Sequence, residues 1–259
     1  MKPLAELDAR GVRAVLVDID DTLTTEGKLT AEAYGAVERL QRAGVRVVPV
    51  TGRPAGWCDH IARMWPVDAV VGENGAFYFR YSGKRLHKRF HDDAPTRASK
   101  RARLDAIAAR ILAAIPGSAH ASDQAYRETD LAIDYCEDVA PLPLSAAERI
   151  AELMRADGLT AKVSSIHVNG WFGEYDKLAM THRLFAECFG TDLDARNREI
   201  IFVGDSPNDA PMFAFFANSV GVANVRRFES VLAATPNYVT RAPSGAGFAE
   251  LAEHVLRGR

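Results

Sequence analysis

The clearest pattern in the chain is a series of short, nearly unbroken apolar runs, each ending in polar or acidic residues. Val12 to about Asp20, Val45 to Val50, Ala69 to Val71, Ile200 to Val203, Ser219 to Ala223 and Tyr238 to Thr240 all read this way. Continuous Val, Ile and Leu without alternation is the mark of parallel strands buried on both faces. Between these runs the apolar positions take helical spacing, over about Thr30 to Ala43, Pro54 to Trp65, Lys177 to Phe189, Val225 to Ala233 and Phe248 to Leu256. Thr30 suits an N-cap, Gly44 a C-terminal stop and Pro54 a first helical turn. Strand, loop and helix alternate, which predicts an α/β chain around a parallel sheet. Pro49 conflicts with an interior strand because it has no N–H to give, so a bulge or irregular strand end is expected there. Gly72-Glu73-Asn74-Gly75 marks a turn before the aromatic Phe77-Tyr78-Phe79.

Between about Tyr81 and Trp171 the texture changes to charged strands and amphipathic helices. Lys84 to Phe90 reads as a strand, Ala94 to Ile115 holds a long helix and Leu131 to Tyr135 alternates like a strand. Pro141 and Pro143 then break the chain, and Ser145 with Glu148 has capping-box spacing for a helix to about Ala156. Leu159 to Val168 reads as a strand, with Asn169-Gly170 as a hairpin turn. The expected division is one domain from residues 1–80 and 172–259, and a small α+β insert over 81–171.

The 259 residues, 47% hydrophobic, are enough for a core and a second module. A formal charge of −2 gives no electrostatic reason to bind nucleic acid or an anionic membrane. Met1 to Glu6 lacks the apolar centre of a signal peptide and no later run could span a bilayer, so a cytoplasmic protein is expected. Cys58, Cys136 and Cys188 are odd in number and far apart, as reduced thiols would be.

Chemistry concentrates where the apolar runs stop, because ligands of open α/β sheets bind beyond the carboxyl ends of the strands. Asp18 and Asp20 end the first run two residues apart, so both carboxylates point to one side of extended chain. Two negative charges in one small volume call for a cation, and Mg²⁺ suits such hard oxygen ligands. Three other clusters join them: Thr51-Gly52-Arg53, Lys177, and Gly204-Asp205-Ser206-Pro207-Asn208-Asp209. Together they describe a phosphoryl-transfer site. Asp18 is the candidate nucleophile and Asp20 the acid that later acts as base. Mg²⁺, Lys177, the Thr51 hydroxyl and N–H groups at helix starts would offset charge on the phosphoryl oxygens. Gly52, Arg53 and Asn208 are further candidate phosphate contacts. Asp205 would complete the metal site. Asp209 would either reach the metal through water or orient Lys177.

The four motifs, in this order, resemble those of the haloacid dehalogenase (HAD) superfamily of phosphatases. An insert between the second and third resembles the C2 type of cap, as in Cof-like, sucrose-phosphatase-like and archaeal phosphoglycolate-phosphatase-like members. The resemblance implies a Rossmann-like parallel-sheet core with an inserted α+β cap. It also implies Asp18 as nucleophile, Asp20 as acid and base, and Mg²⁺ held by the Asp18 side chain, the Asp20 backbone carbonyl and Asp205. Many relatives have Gly at the position of Asp21, so the turn must here accommodate a side chain. The expected activity is a Mg²⁺-dependent phosphomonoesterase acting through an aspartyl-phosphate on a small phosphorylated metabolite, a phosphosugar or a phosphoglycolate-like acid. The alternatives are a phosphomutase, a phospho-receiver switch, for which the insert and the Asn208-Asp209 cluster are superfluous, and an inactive binding protein. Outside the motifs, structural roles are expected. His167 is structural or solvent-facing, the basic stretch from Lys84 to Arg103 is a solvated face, Trp57, Ile61, Met64 and Trp65 pack a core, and Trp171 packs the hinge.

Overall fold

The structure, a computed structural model, describes residues 1–164 and 166–259. In chain order its elements are β1 (Lys2–Pro3), β2 (Ala14–Val17), α1 (Ala31–Arg42), β3 (Arg46–Pro49), α2 (Ala55–Met64), β4 (Val70–Gly72), β5 (Phe77–Ser82) and β6 (Arg85–Phe90). There follow α3 (Ala94–Ala114), β7 (Ala119–His120), β8 (Leu131–Asp134), α4 (Leu144–Ala156), β9 (Thr160–Val163), β10 (His167–Trp171) and α5 (Lys177–Phe189). β11 (Ile200–Gly204), α6 (Ala210–Phe215), β12 (Asn218–Gly221), β13 (Tyr238–Val239) and α7 (Ser244–Arg257) complete the chain.

The expected parallel sheet runs β1-β13-β12-β11-β2-β3. Alternate residues of its strands face opposite layers, as the two-residue period of a strand requires. Val15, Val17, Val47, Ile201 and Val203 pack under α1 and α7, while Leu16, Val48 and Phe202 pack under α5 and α6. Thr30 caps α1 as expected, accepting from Ala33 N at 3.2 Å, and Gly44 follows the helix with φ +76°. Pro49 needs no bulge. β3 is an edge strand whose residues 46 and 50 donate inward to Arg13 and Val17, so the donor Pro49 lacks would point outward. On that outer side Val47 N donates to the Asp68 carboxylate and Thr51 N to Val71 O.

β4, β5 and β6 form a separate antiparallel sheet, joined to β3 through a Val50–Val71 bridge. The boundary expected at residue 81 therefore falls inside a β-hairpin, with Tyr81 paired to Leu86. The insert proper holds the sheet β7-β8-β10-β9, covered by α3 and α4 through Leu104, Ile111, Ile150 and Met154.

Several local expectations change. Leu159 to Val168 is not one strand: β9 and β10 pair antiparallel, and Ser164 N donates to His167 O at their turn. Ser165, within that expected strand, lies outside the described residues. Asn169 and Gly170 sit inside β10, where a Cβ on Gly170 would come 2.6 Å from Met154 Sδ; the glycine admits α4 rather than making a turn. α4 begins at Leu144 without the side-chain cap expected from Ser145. Val225 to Ala233 is not an α-helix; a 3₁₀ segment covers Ala223–Phe228. Ile61 is buried, but Trp57 and Met64 are 43% and 65% exposed, so half of that expected core stripe faces outward. Much of the basic stretch is paired: Lys88 with Asp59, Arg89 with Glu187, Arg97 with Glu128 and Lys100 with Asp92.

Candidate active site

Strand register brings the motif residues together. Val17 lies opposite both Val203 and Pro49, so β2, β3 and β11 end at one level. From β2 the chain crosses through α1 to β3 on one side and reaches β11 on the other only after the insert. The crevice thus sits at the point where strand order reverses. Asp18, Thr51 and Asp205 follow these strand ends. Lys177 arrives from α5, whose N-cap Asp176 accepts from Ala179 N at 2.7 Å. Its position depends on Gly75. At φ +103°, a Cβ there would lie 2.0 Å from Asp176 O and 2.2 Å from Asp176 C, so only glycine lets the 73–75 turn meet the start of α5.

Lys177 Nζ donates to Asp18 Oδ1 at 3.1 Å and Asp209 Oδ1 at 2.8 Å. Asp209 Oδ2 accepts from Asp205 N at 3.2 Å. Asp205 accepts from Thr22 Oγ1 at 3.1 Å and from Asn224 Nδ2 at 3.0 Å. All four charged groups are buried. Oxygens of Asp18, Asp205 and Asp209 lie within 4.8 Å of one another. Burial pushes the Asp18 carboxyl up to about 7, against the pull of Lys177 and with Asp209 and Asp20 adding to the rise. Asp205 is raised well above the carboxylate range by burial and by Asp209 and Asp18. Burial alone would lower Lys177, but Asp18 and Asp209 outweigh it and keep the ammonium charged. Three buried carboxyl groups crowded beside one ammonium offer oxygen donors alone, and a divalent cation would offset the burial and like-charge repulsion that raise Asp18 and Asp205, so the set fits Mg²⁺. Asp21 has φ +55°, the left-handed turn that glycine takes most easily and Asp tolerates.

Asp20 turns away from this acid cluster. Arg53 clamps it, with Nε 3.0 Å from both Asp20 oxygens and Nη2 2.8 Å from Oδ1. Arg53 also meets two carboxylates of the insert, Glu137 at 3.3 Å and Asp123 at 3.6 Å, and its guanidinium lies 4.5 Å from the Trp57 ring centre. Arg127 of the insert donates to Gly52 O at 3.0 Å while pairing with Asp123 and Asp130. In return Glu73 accepts from the backbone N–H groups of Ala55, Glu128, Thr129 and Asp130 and from the Thr129 hydroxyl.

A family model described as haloacid dehalogenase-like hydrolase matches residues 15–100. The chain is similar to the phosphoglycolate phosphatase of Pyrobaculum neutrophilum, 29% identical over 252 residues that cover 96% of this chain and 97% of the relative. Among solved structures it is similar to Thermoplasma acidophilum 0175, with a TM-score of 0.72 and 18% identity over 95% of this chain and 98% of that one. It is also similar to sucrose-phosphatase from Synechocystis in complex with sucrose and phosphate, at TM-score 0.62 and 15% identity over 95% and 98%. The family match thus covers the first two motif clusters, and the similarity to phosphoglycolate phosphatases extends over nearly the whole chain.

A cavity of about 40 Å³ lies between the inserted sheet and the core. Asp18, Asp20, Gly52, Arg53, Asp205 and Asn208 line it from the core, and Arg127, His167 and Asn169 from the insert. Of the candidate phosphate contacts, Thr51 is fully buried, its hydroxyl accepting from Arg53 N at 3.0 Å, and it is not part of the cavity wall. Lys177 lies behind that wall, lining a neighbouring cavity of about 260 Å³ with Trp171 and Asn208. His167 is not solvent-facing: it is buried as a structural histidine would be, with Nε2 2.8 Å from Glu137 Oε2, and it also lines the cavity. Glu73, Asp123, Arg127, Glu137 and Asn224 carry no motif, and sequence reading passes over them. Among the described residues no helix is long and apolar enough to cross a membrane.

Proposed function

We propose that the hydrolase is a phosphatase that cleaves small phosphomonoesters through a phosphoryl group carried on Asp18. The buried chain Asp18–Lys177–Asp209, set beside Asp205 at the end of the reaction cavity, is the observation that supports this most directly. An Asp18 oxygen attacks phosphorus as the bond to the leaving oxygen breaks, and Asp20 gives that oxygen its proton. Asp20 then takes a proton from water as the water oxygen attacks the aspartyl-phosphate, releasing phosphate and restoring Asp18. Lys177, fixed by Asp209, offsets charge gathering on the phosphoryl oxygens. Mg²⁺ on Asp18 and Asp205, when bound, would neutralise more of that charge. Residues 1–80 and 172–259 are the catalytic domain in this reading, and 81–171 the cap, its first hairpin strand resting on the core.

The name of the Pyrobaculum relative favours phosphoglycolate over a sugar phosphate as the substrate. The test is release of inorganic phosphate from phosphoglycolate, hexose phosphates and an aryl phosphate, with Mg²⁺ or EDTA, by wild type and Asp18→Asn. Turnover on phosphoglycolate that EDTA and Asp18→Asn both abolish is expected. An isomerised product without free phosphate would indicate a mutase instead.

A further inference from the structure

The Arg53 guanidinium joins the two halves of the molecule. Its core partner is Asp20, held by two nitrogens, and its cap partners are Glu137 and Asp123. The chain of contacts runs on from Glu137 to His167, which lines the reaction cavity where a leaving group would sit. Glu137 is ionised in this setting: the His167 ring beside it and then Arg53 hold its carboxyl down at about 2, against the opposing cost of partial burial. Arg53 is 7% exposed and Trp57 covers one face of its guanidinium, leaving it little freedom once the cap carboxylates are in place. With the cap lifted, the same side chain would keep only Asp20 and Trp57, neither of which fixes where it lies along the crevice. A bidentate Arg–carboxylate pair transmits orientation as well as charge.

We propose that Arg53 is a positioning residue, braced by Glu137 and Asp123, that aims the Asp20 carboxyl at the leaving oxygen only while the cap is seated. The inference rests on the reading of Asp20 as proton donor. It makes cap seating a condition for protonating the leaving group rather than for phosphate binding. A bound leaving group touching His167 would steady Glu137, and through it Arg53 and Asp20. Small substrates that fill the cavity would then be protonated efficiently, and a bare phosphate would not trigger the arrangement.

Two small substrates separate this role from a structural one. Phosphoglycolate expels an alkoxide and needs a proton delivered, whereas acetyl phosphate expels acetate and does not. General acid catalysis contributes about 100- to 10,000-fold where it is needed, so partial misalignment should cost about tenfold or more on the first substrate. Read as the single-turnover rate of glycolate or acetate release, a step in which Asp20 acts only as acid, Glu137→Gln and Asp123→Asn should lose at least that on phosphoglycolate and less than about threefold on acetyl phosphate. Arg53→Lys should behave likewise in that step, and Asp20→Asn should show the same first-step selectivity in stronger form while losing steady-state turnover on both substrates with its base role. Thermal unfolding of each variant identifies any that fails to fold, and Glu137→Gln, on a half-exposed group, is the variant least exposed to that fault. Equal first-step losses on both substrates, or no loss on either, in a folded Glu137→Gln protein would overturn the positioning role while Asp20→Asn remained selective in that step. If Asp20→Asn is itself unselective in the first step, or wild type hydrolyses neither substrate, the proposed reaction fails and the positioning role with it.

Discussion

Replacing Gly75 with alanine should damage both the stability of the fold and the placement of Lys177. The new methyl would sit 2.0 Å from Asp176 O, 2.2 Å from Asp176 C and 2.8 Å from Lys177 N. These are backbone atoms, so no rotamer change relieves the contact. Either the 73–75 turn or the first turn of α5 must retreat by about 1 Å, and a displacement of that size at a reacting group can cost about 100-fold in rate. The φ of +103° adds backbone strain of about 1–3 kcal/mol, and overpacking against fixed atoms adds about 1–3 kcal/mol more. The expected loss is therefore about 2–6 kcal/mol in stability together with about 100-fold in kcat. Gly83 provides the control, since its φ is +56° but nothing lies within 4 Å of its would-be Cβ. Gly83→Ala should cost only about 1–2 kcal/mol and leave turnover unchanged. Urea unfolding and phosphate release measured on both variants decide the matter. If Gly75→Ala matches Gly83→Ala in both assays, the close approach of turn and helix does not place Lys177.

Other consequences can be measured independently. Lys177→Met would strand Asp18 and Asp209 without their buried cation, and should cost about 3–5 kcal/mol in metal-free protein as well as nearly all turnover; calorimetry in EDTA and a phosphate assay check the two parts. Mg²⁺ should raise the unfolding temperature of wild type by binding only the folded acid cluster, and Asp205→Asn should blunt that rise. Glu137, held at about 2 in the fold against an ordinary value of 4.5, contributes stability that is complete above 4.5 and lost as pH falls towards 2. The drop in unfolding midpoint between pH 6 and pH 3 should accordingly be smaller in Glu137→Gln. Leu104→Ala, in the centre of the cap, should cost about 2–5 kcal/mol, read by calorimetry, because it leaves a void among α3, α4 and β8.

What sequence reveals and what it hides divide along physical lines. α5 is legible to the residue because Asp176 supplies an N-cap and Gly190 a left-handed stop. Asp18, Thr51 and Asp205 are legible because each ends an apolar run in a parallel sheet, where period and position coincide. The contacts between cap and core are not, since Arg53 reaches Asp20 across 33 residues and Glu137 across 84, and no local spacing records such a pair. Asn169-Gly170 misleads because glycine serves two purposes, turning a chain or admitting a neighbour, and here Met154 requires the second. The expected helix after Val225 gives way to a segment in which Asn224 reaches Asp205, Asp21 O and Ser244 N, so the chain is shaped to brace the acid cluster.

The edge strand β3 has a further consequence for the behaviour of the molecule in a crowded solution. An open sheet margin ordinarily offers a row of donors on which a strand from another molecule can pair and propagate. Along this margin the Val47 donor is taken by a side-chain carboxylate, Pro49 has none, and Thr51 is already paired to Val71. The opposite margin is a two-residue strand that stops at Pro3. The central sheet is therefore finished at both sides, at β3 by the 68–74 segment laid along it and at β1 by a strand too short to extend, so strand-by-strand recruitment of neighbours finds little template on which to begin.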